Sequence, residues 1–219
     1  MIDDLLPANV VSIERWDDDP LARLLPEETA QFGRAIESRT KEFATTRSCA
    51  RLALAKMGVP AVPILRGPNR EPLWPDGVIG SITHCRGYRA ASVAMQSHLL
   101  AIGIDAEIHE SLPDEVLQHV CLDQEMAWLT KAPPGTHWDR VLFSVKESVY
   151  KAWVPLTQRW LGFEDVAVII RPTEGTFQAR LLVPSPSIGG HPLTQFTGRF
   201  LVRQGLVLTA TVLAHGSMP

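Results

Sequence analysis

Two carboxylates stand two positions apart directly after an apolar run, since Asp105 and Glu107 follow residues 99–104. If the extended conformation continues through them, their side chains point to the same side of the strand. Converging carboxylates repel each other unless a proton or a cation lies between them. Oxygen ligands completed by water suit Mg²⁺. Taken alone, however, the D-x-E pattern is more typical of two solvated acids in a loop.

A second charged pair, Glu147 and Lys151, lies four positions apart in a segment with helical periodicity. This spacing places both side chains on one helix face, where a surface ion pair contributes only about 0.3–0.5 kcal/mol. A catalytic interpretation requires Glu147 to join Asp105 and Glu107 as a third carboxylate, with Lys151 beside a transferred phosphate. For the pair alone, helix pairing is the simpler interpretation.

Basic residues are concentrated in one stretch of the chain. Residues 31–70 carry eight Lys or Arg against two Glu, whereas residues 1–30 carry eight acids and two bases. A local excess of positive charge could attract a phosphorylated ligand, although a solvated helix face is the simpler explanation of charge alone. The net charge of −3 gives no electrostatic support for nucleic-acid binding.

The motif at residues 80–85 ends a predicted strand with small residues, Ser81 among them, followed by His84. Small side chains at a strand end let a ligand approach the backbone. His84 could donate a hydrogen bond to a phosphate oxygen, but a lone histidine is more often a structural residue. This motif is therefore weak by itself.

The elements that must position these side chains form two similar sets. One predicted helix runs from residue 26 to about residue 57, and another covers residues 139–153 and ends at Pro155. Residues 66–77 are turn-rich and predict a loop. One long helix and several strands in each half predict an α+β protein of two lobes. The predicted strands are residues 78–83, 90–95 and 99–104, with one pair each within residues 163–183 and 195–213.

Composition is that of a globular protein, because 45% of the 219 residues are hydrophobic and 21% are charged. The three cysteines are odd in number, widely spaced and without a C-x-x-C pair, which argues against a disulfide framework or a zinc site. The sequence has no apolar run that approaches a membrane span, and its acidic start lacks the basic region of a signal peptide. We therefore expect a cytoplasmic protein.

Taken together, these segments resemble the 4′-phosphopantetheinyl transferases of the surfactin-type group. The resemblance is closest to the branch typified by enterobactin synthase component D and its actinobacterial relatives. It covers nearly the whole chain, and the combination of I-G-I-D-x-E with K-E-x-x-x-K is specific to the family. The matching segments are residues 39–43, 47–51, 71–77, 80–85, 102–107, 143–153 and 160–165.

The resemblance implies transfer of the 4′-phosphopantetheine arm of coenzyme A to a serine of an apo acyl or peptidyl carrier protein, with adenosine 3′,5′-bisphosphate as the leaving group. It implies dependence on Mg²⁺, with Mn²⁺ as a possible substitute. The implied fold is two similar lobes with pseudo-two-fold symmetry, here residues 1–103 and 104–219, with the active site between them. We expect a monomer with no nucleic-acid or membrane partner.

Matching positions also imply roles for individual residues. Lys151 would stabilise charge on the leaving phosphate, and Glu147, directly or through a metal-bound water, would act as the base for the carrier serine. Ala106 departs from members that carry a third acid there, so water should fill that coordination position. The resemblance leaves open which of Arg66 and Arg70 contacts phosphate. The implied metal ligands are Asp105, Glu107 and Glu147, and the implied coenzyme A contacts are Arg39, Arg47, Arg66, Arg70, Ser81, His84, Lys146 and Lys151.

Two other functions use the same residues. One is a Mg²⁺-dependent hydrolase of the coenzyme A or nucleotide pyrophosphate, which needs no protein acceptor. The other is a non-catalytic module that binds carrier proteins, although the presence of all three acids and Lys151 argues against it. For carrier docking we expect an apolar patch between residues 110 and 135, formed by Met126, Trp128 and Leu129, unless these side chains pack inward.

Overall fold

The computed structural model describes residues 1–32 and 37–216. In the N-terminal half, the long helix α2 packs on a three-stranded antiparallel sheet, and a short helix, α1, precedes it. Small and aliphatic side chains of α2, such as Ala50 and Leu54, fill the core between helix and sheet together with Ile64 and Val93. The elements are β1 (Val11–Trp16), α1 (Pro26–Phe32), α2 (Glu37–Lys56), β2 (Val78–Cys85) and β3 (Tyr88–Met95), with strand order β1-β3-β2.

The C-terminal half repeats this plan on a larger scale. Helix α5 (Trp138–Thr157) packs on a five-stranded antiparallel sheet of order β4-β10-β9-β6-β5. Gly103 makes this packing possible, because a Cβ there would overlap the carbonyl oxygen of Ser148 on α5. The remaining elements are β4 (Leu99–Ile108), α3 (Asp114–Val120), α4 (Asp123–Leu129), β5 (Val166–Arg171), β6 (Thr176–Leu181), β7 (Ser187–Ile188), β8 (His191–Pro192), β9 (Gln195–Arg203) and β10 (Leu206–Ala214).

The two sheets meet where β2 lies beside β4. Hydroxyl groups of β2 bridge the strands: Ser81 Oγ accepts the N–H of Ile104 at 3.1 Å, and Thr83 Oγ1 accepts the N–H of Ala106 at 2.9 Å. This seam forms the floor of a cleft between the halves, so the ends of β2 and β4 are presented to the same space.

Most predicted elements are confirmed. The helix predicted over residues 26 to about 57 occurs as α1 and α2, while residues 33–36, including Arg34 of the basic stretch, lie outside the described residues. Strand β4 continues to Ile108, so Asp105 and Glu107 do lie in extended backbone. Strand β1 was not predicted. The lobe boundary at residues 103/104 falls within β4 and stays a prediction.

The prediction that Pro155 ends the last long helix is wrong. Pro155 lies inside α5, which continues to Thr157. Proline removes one backbone hydrogen bond but does not turn the chain, and the helix ends where Gln158 adopts a left-handed conformation at φ 53°. Within the described ranges, no helix is long and apolar enough to cross a membrane.

Candidate active site

A cleft with a volume of about 870 Å³ lies between α2, α5, the β2–β4 seam and the loop before Pro72. Most of the predicted site residues line it. Arg39 and Lys146 are not among the lining residues. The predicted residues that the cleft brings together are Arg47, Arg66, Arg70, Ser81, His84, Asp105, Glu107, Glu147 and Lys151.

Asp105 is the most enclosed carboxylate of the cleft, with only 4% of its surface exposed. Lys151 Nζ lies 2.7 Å from its Oδ1, which also accepts the hydroxyl of Thr83 at 3.2 Å. The hydroxyl of Ser144 donates to Oδ2 at 2.8 Å. These contacts from β2 and α5 hold the β4 carboxylate in one orientation at the floor of the cleft.

Glu107 and Glu147 are less buried than Asp105, and the charge of Asp105 affects the pKa of both. Burial and Asp105 raise the pKa of Glu107 to about 7, against the opposing effect of Arg140, whose Nη1 donates to Glu107 Oε2 at 3.0 Å. Burial and Asp105 also raise the pKa of Glu147, while Lys151 opposes this shift. Asp105 thus repels two further carboxylates in the same cleft. The resemblance, rather than the spacing alone, implies that these three acids lie together.

These carboxylates are not assembled into a finished metal centre. Among residues 1–32 and 37–216, no group of three His, Cys, Asp or Glu side chains is close enough to hold an ion. Instead, Lys151 forms an ion pair with Asp105, and Arg140 forms one with Glu107. The donors nevertheless fit a hard divalent cation by their chemistry, because all are carboxylate oxygens and all face the cleft.

Three arginine side chains from the N-terminal half form the basic part of the cleft wall. Arg47, on α2, donates from Nε to the carbonyl oxygen of Ile64 at 2.7 Å, and its guanidinium lies 4.1 Å from the centre of the Phe43 ring. Burial lowers the pKa of Arg47 to about 10, with Arg66 adding to the effect, so the side chain remains a cation at neutral pH. Its position is thus fixed by a carbonyl and an aromatic face.

Arg66 and Arg70 extend this wall along the loop that follows α2. The Arg66 guanidinium lies 4.5 Å from the centre of the Phe43 ring. Burial lowers the pKa of Arg66, and the nearby charges of Arg70 and Arg39 lower it further. Arg70 is held on the cleft side by a tight turn in which it adopts φ 68° and donates its N–H to the carbonyl of Gly67. Arg39 is exposed near the start of α2.

The end of β2 contributes Ser81 and His84. Ser81 is buried and its hydroxyl is engaged with β4. His84 is half-exposed, and its Nδ1 lies 3.2 Å from Oε1 of Glu42. Burial lowers the pKa of His84, as do Lys151 and Arg89, whereas Glu42 raises it. Within this motif, His84 rather than Ser81 therefore has a side chain that is open to the cleft.

Lys146 requires a correction, because the structure does not bring it to the cleft. Its Nζ is buried and contacts Glu125 Oε2 at 2.7 Å and the carbonyl oxygens of Val120 and Phe163 at 2.7 and 2.9 Å. Adjacent residues of a helix face different directions, so Lys146 points away from the face of Glu147. The contacts assign it to an internal ion pair that ties α3 and α4 to α5.

Four residues of the site escaped the sequence analysis. Thr83 and Ser144, which bind Asp105, lie inside the quoted motifs, but their hydroxyl groups carry no distinctive pattern. Arg140 and Glu42 lie on helices and reach Glu107 and His84 only through the tertiary fold. The pairs Arg140–Glu107 and Glu42–His84 are both far apart in sequence, which left no local signal for them.

Two models of known protein families match this chain. The family model described as "4′-phosphopantetheinyl transferase N-terminal domain" matches residues 27–94, and that of the "4′-phosphopantetheinyl transferase superfamily" matches residues 101–194.

Three curated proteins are similar over nearly the whole chain, and each is named a 4′-phosphopantetheinyl transferase. Svp of Streptomyces mobaraensis is 48% identical and covers 98% of this chain and 89% of its own length. PptT of Mycobacterium tuberculosis is 45% identical, with coverage of 97% and 98%. Npt of Nocardia iowensis is also 45% identical, with coverage of 98% and 100%.

Proposed function

This chain belongs to the 4′-phosphopantetheinyl transferase superfamily, and from that premise we propose the reaction that its cleft performs. The 4′-phosphopantetheine arm of coenzyme A is transferred to a serine hydroxyl of an apo acyl or peptidyl carrier protein. The serine oxygen forms the new bond to the pantetheine phosphorus, the pyrophosphate bond breaks, and adenosine 3′,5′-bisphosphate leaves. The serine proton passes to a base in the cleft.

The observation that carries this proposal is the meeting of basic and acidic side chains in one cleft. Arg47, Arg66 and Arg70 line it from the N-terminal half, and the carboxylates of β4 and α5 line it from the C-terminal half. A planar guanidinium binds phosphate oxygens in pairs, which suits the anionic end of coenzyme A. A ligand that combines several phosphates with a divalent cation satisfies both groups of side chains at once.

Asp105, Glu107 and Glu147 are the residues that would hold Mg²⁺, and Mn²⁺ offers the same preference for oxygen ligands. When bound there, the ion supplies neutralisation of the pyrophosphate and polarisation of the phosphoryl group. Lys151 lies beside these carboxylates with its amine partly exposed to the cleft. It can therefore stabilise the negative charge that develops on the leaving phosphate. Glu147, directly or through water, takes the proton of the serine, and its raised pKa favours this role.

Arg39 and Lys146 differ from the other coenzyme A contacts that the resemblance implies, because neither lines the cleft. Arg39 is exposed and is not among the residues that line the cleft. Lys146 is not proposed as a contact, because its amine is occupied inside the C-terminal half. The direct phosphate contacts that we propose are therefore Arg47, Arg66, Arg70, His84 and Lys151, with Ser81 beside them at the seam.

The test is to incubate the protein with coenzyme A, Mg²⁺ and an apo carrier protein and to weigh the carrier by mass spectrometry. We expect the carrier to gain one phosphopantetheine group on its serine and adenosine 3′,5′-bisphosphate to appear in equal amount. Loss of coenzyme A with an unchanged carrier would indicate a hydrolase. If neither changes while the carrier binds, the protein is a binding module and the proposal is wrong.

A further inference from the structure

A row of alternating charges leads from the N-terminal half into the cleft. It begins at Asp18, passes through Arg89 on β3 and Glu42 on α2, and ends at His84 on β2. Only His84 of these four lines the cleft. The other three residues have no role in the transfer reaction proposed above, so that reaction does not account for their arrangement.

Arg89 is the fixed point of this row. Its side chain is only 7% exposed, and its Nε and Nη2 each lie 2.9 Å from Oδ1 of Asp18. Its Nη1 also donates to the carbonyl oxygens of Cys85 and Tyr88 at the turn between β2 and β3. An arginine held by a carboxylate and two carbonyls cannot move without losing several charge-assisted hydrogen bonds.

Glu42 stands between this fixed cation and the histidine. Its Oε1 lies 3.4 Å from Arg89 Nη2 and 3.2 Å from His84 Nδ1. The Glu42 side chain is only 25% exposed, so its negative charge interacts strongly with the imidazole ring of His84. With Nδ1 beside an acceptor, the ring nitrogen left for a ligand is Nε2.

Resting on the proposed function, we propose that Glu42 is the positioning residue of His84 for a phosphate group of coenzyme A. Glu42 holds the Nδ1 side of the ring so that Nε2 is presented to the phosphate. It also supplies the negative charge that lets the ring bind the phosphate as an imidazolium, with a proton taken up on binding. Arg89 and Asp18 hold Glu42 in place.

The charges that face His84 support a ring that changes protonation. Glu42 from α2 and Asp105 from β4 favour the imidazolium, whereas Lys151 from α5 and Arg89 from β3 disfavour it. Burial adds to the second group, so the pKa of His84 lies below its usual value in the free protein. A phosphate dianion at Nε2 reverses this balance. Affinity is then highest below the pKa of the free protein and falls as pH rises toward that of the complex.

The test compares wild type with Glu42→Gln by calorimetric titration of coenzyme A, without carrier protein, across about pH 6 to 8. In wild type we expect affinity to fall as pH rises. In Glu42→Gln we expect affinity to be about tenfold weaker at the acid end and the histidine-linked fall to be absent, which leaves only the slope that ionisation of the phosphate itself gives to both proteins. The matched control is Glu37→Gln, which alters an exposed glutamate of the same helix that pairs with Lys41 at 2.7 Å.

A double-mutant cycle separates positioning from a general loss of stability. In a His84→Asn background, Glu42→Gln should have no further effect on coenzyme A affinity. An equal loss in both backgrounds, or parallel pH profiles for Glu42→Gln and wild type, would overturn the proposal. NMR titration of the His84 ring in the complex gives a second measure, with an imidazolium expected in wild type and a neutral ring in Glu42→Gln. Failure to modify a carrier would overturn the proposed function alone, because binding is measured without carrier.

Discussion

The two long helices of this protein have equal length but present opposite chemistry to the cleft. Both α2 and α5 contain 20 residues, and each packs on an antiparallel sheet. From α2 the cleft receives Arg47 beside the ring of Phe43, whereas from α5 it receives Glu147 and Lys151. We call the side formed by Arg47, Arg66 and Arg70 the basic wall, and the side formed by Asp105, Glu107 and Glu147 the acidic wall.

The walls differ in how their charges are balanced. Within the described part of the chain, no ion pair joins Arg47 or Arg66 to a carboxylate, and aromatic rings support both guanidinium groups. On the acidic wall, Asp105 is paired with Lys151 and Glu107 with Arg140. The basic wall is therefore ready to receive an anion, while under the proposed function the acidic wall would exchange an internal cation for a metal ion.

The largest effect is expected from the acidic wall. Glu147→Gln removes one of three proposed metal ligands and the proposed base, so turnover with coenzyme A and an apo carrier should fall by at least about a thousandfold. The measurement is carrier modification by mass spectrometry, with a thermal melt to show that the fold is intact. Glu115→Gln, an exposed glutamate on α3, serves as the matched control. Near-normal turnover in Glu147→Gln would show that this residue is neither an essential metal ligand nor the base.

The next largest effect concerns the basic wall. Arg47→Ala removes a charge-assisted partner of phosphate, which should cost about 1.5–3 kcal/mol of coenzyme A binding. The loss should be much smaller for dephospho-coenzyme A if Arg47 contacts the 3′-phosphate. Calorimetry with both ligands measures the difference, and Arg39→Ala, which changes an exposed arginine outside the lining, should cost less. Equal losses for both ligands would show that Arg47 does not contact the 3′-phosphate.

Local periodicity accounts for what the sequence could predict of these walls. Asp105 and Glu107 converge because a strand repeats every two residues, and Glu147 and Lys151 share a face because a helix repeats every 3.6 residues. The same periodicity argues against Lys146 as a phosphate contact, since neighbouring helix positions do not face each other. Its true partner, Glu125, is 21 residues away in sequence, and such long-range pairs leave no local pattern.

A smaller effect tests whether Lys151 competes with a metal ion for the acidic wall. Lys151→Met removes the cation at Asp105, so Mn²⁺ alone should bind about tenfold more tightly in the absence of coenzyme A, even though turnover falls. Electron paramagnetic resonance of free Mn²⁺ measures this affinity directly. The control, Lys131→Met, removes an exposed lysine and should leave the affinity unchanged. Unchanged or weaker Mn²⁺ binding in Lys151→Met would mean that the internal ion pair does not compete with the metal.

The smallest effect lies outside both walls, at the helix α4 that Glu125 and Lys146 tie to α5. Trp128 packs inward, with its ring 5.7 Å from that of Trp138, so it is part of the C-terminal core rather than a free docking group. Met126 is partly buried on the same helix. If α4 contacts the carrier, Met126→Asp replaces an apolar contact with a charge.

The KM for the carrier should then rise by about threefold to tenfold, while coenzyme A affinity stays unchanged because both walls are intact. Steady-state kinetics with varied carrier and calorimetry with coenzyme A separate the two quantities, and Gln124→Asp adds the same charge at an exposed neighbour as the control. Normal carrier kinetics in Met126→Asp would place docking on another surface, and a variant that fails to fold would assign Met126 to the core. A fall in coenzyme A affinity would show that α4 acts on the acidic wall through the Glu125–Lys146 pair.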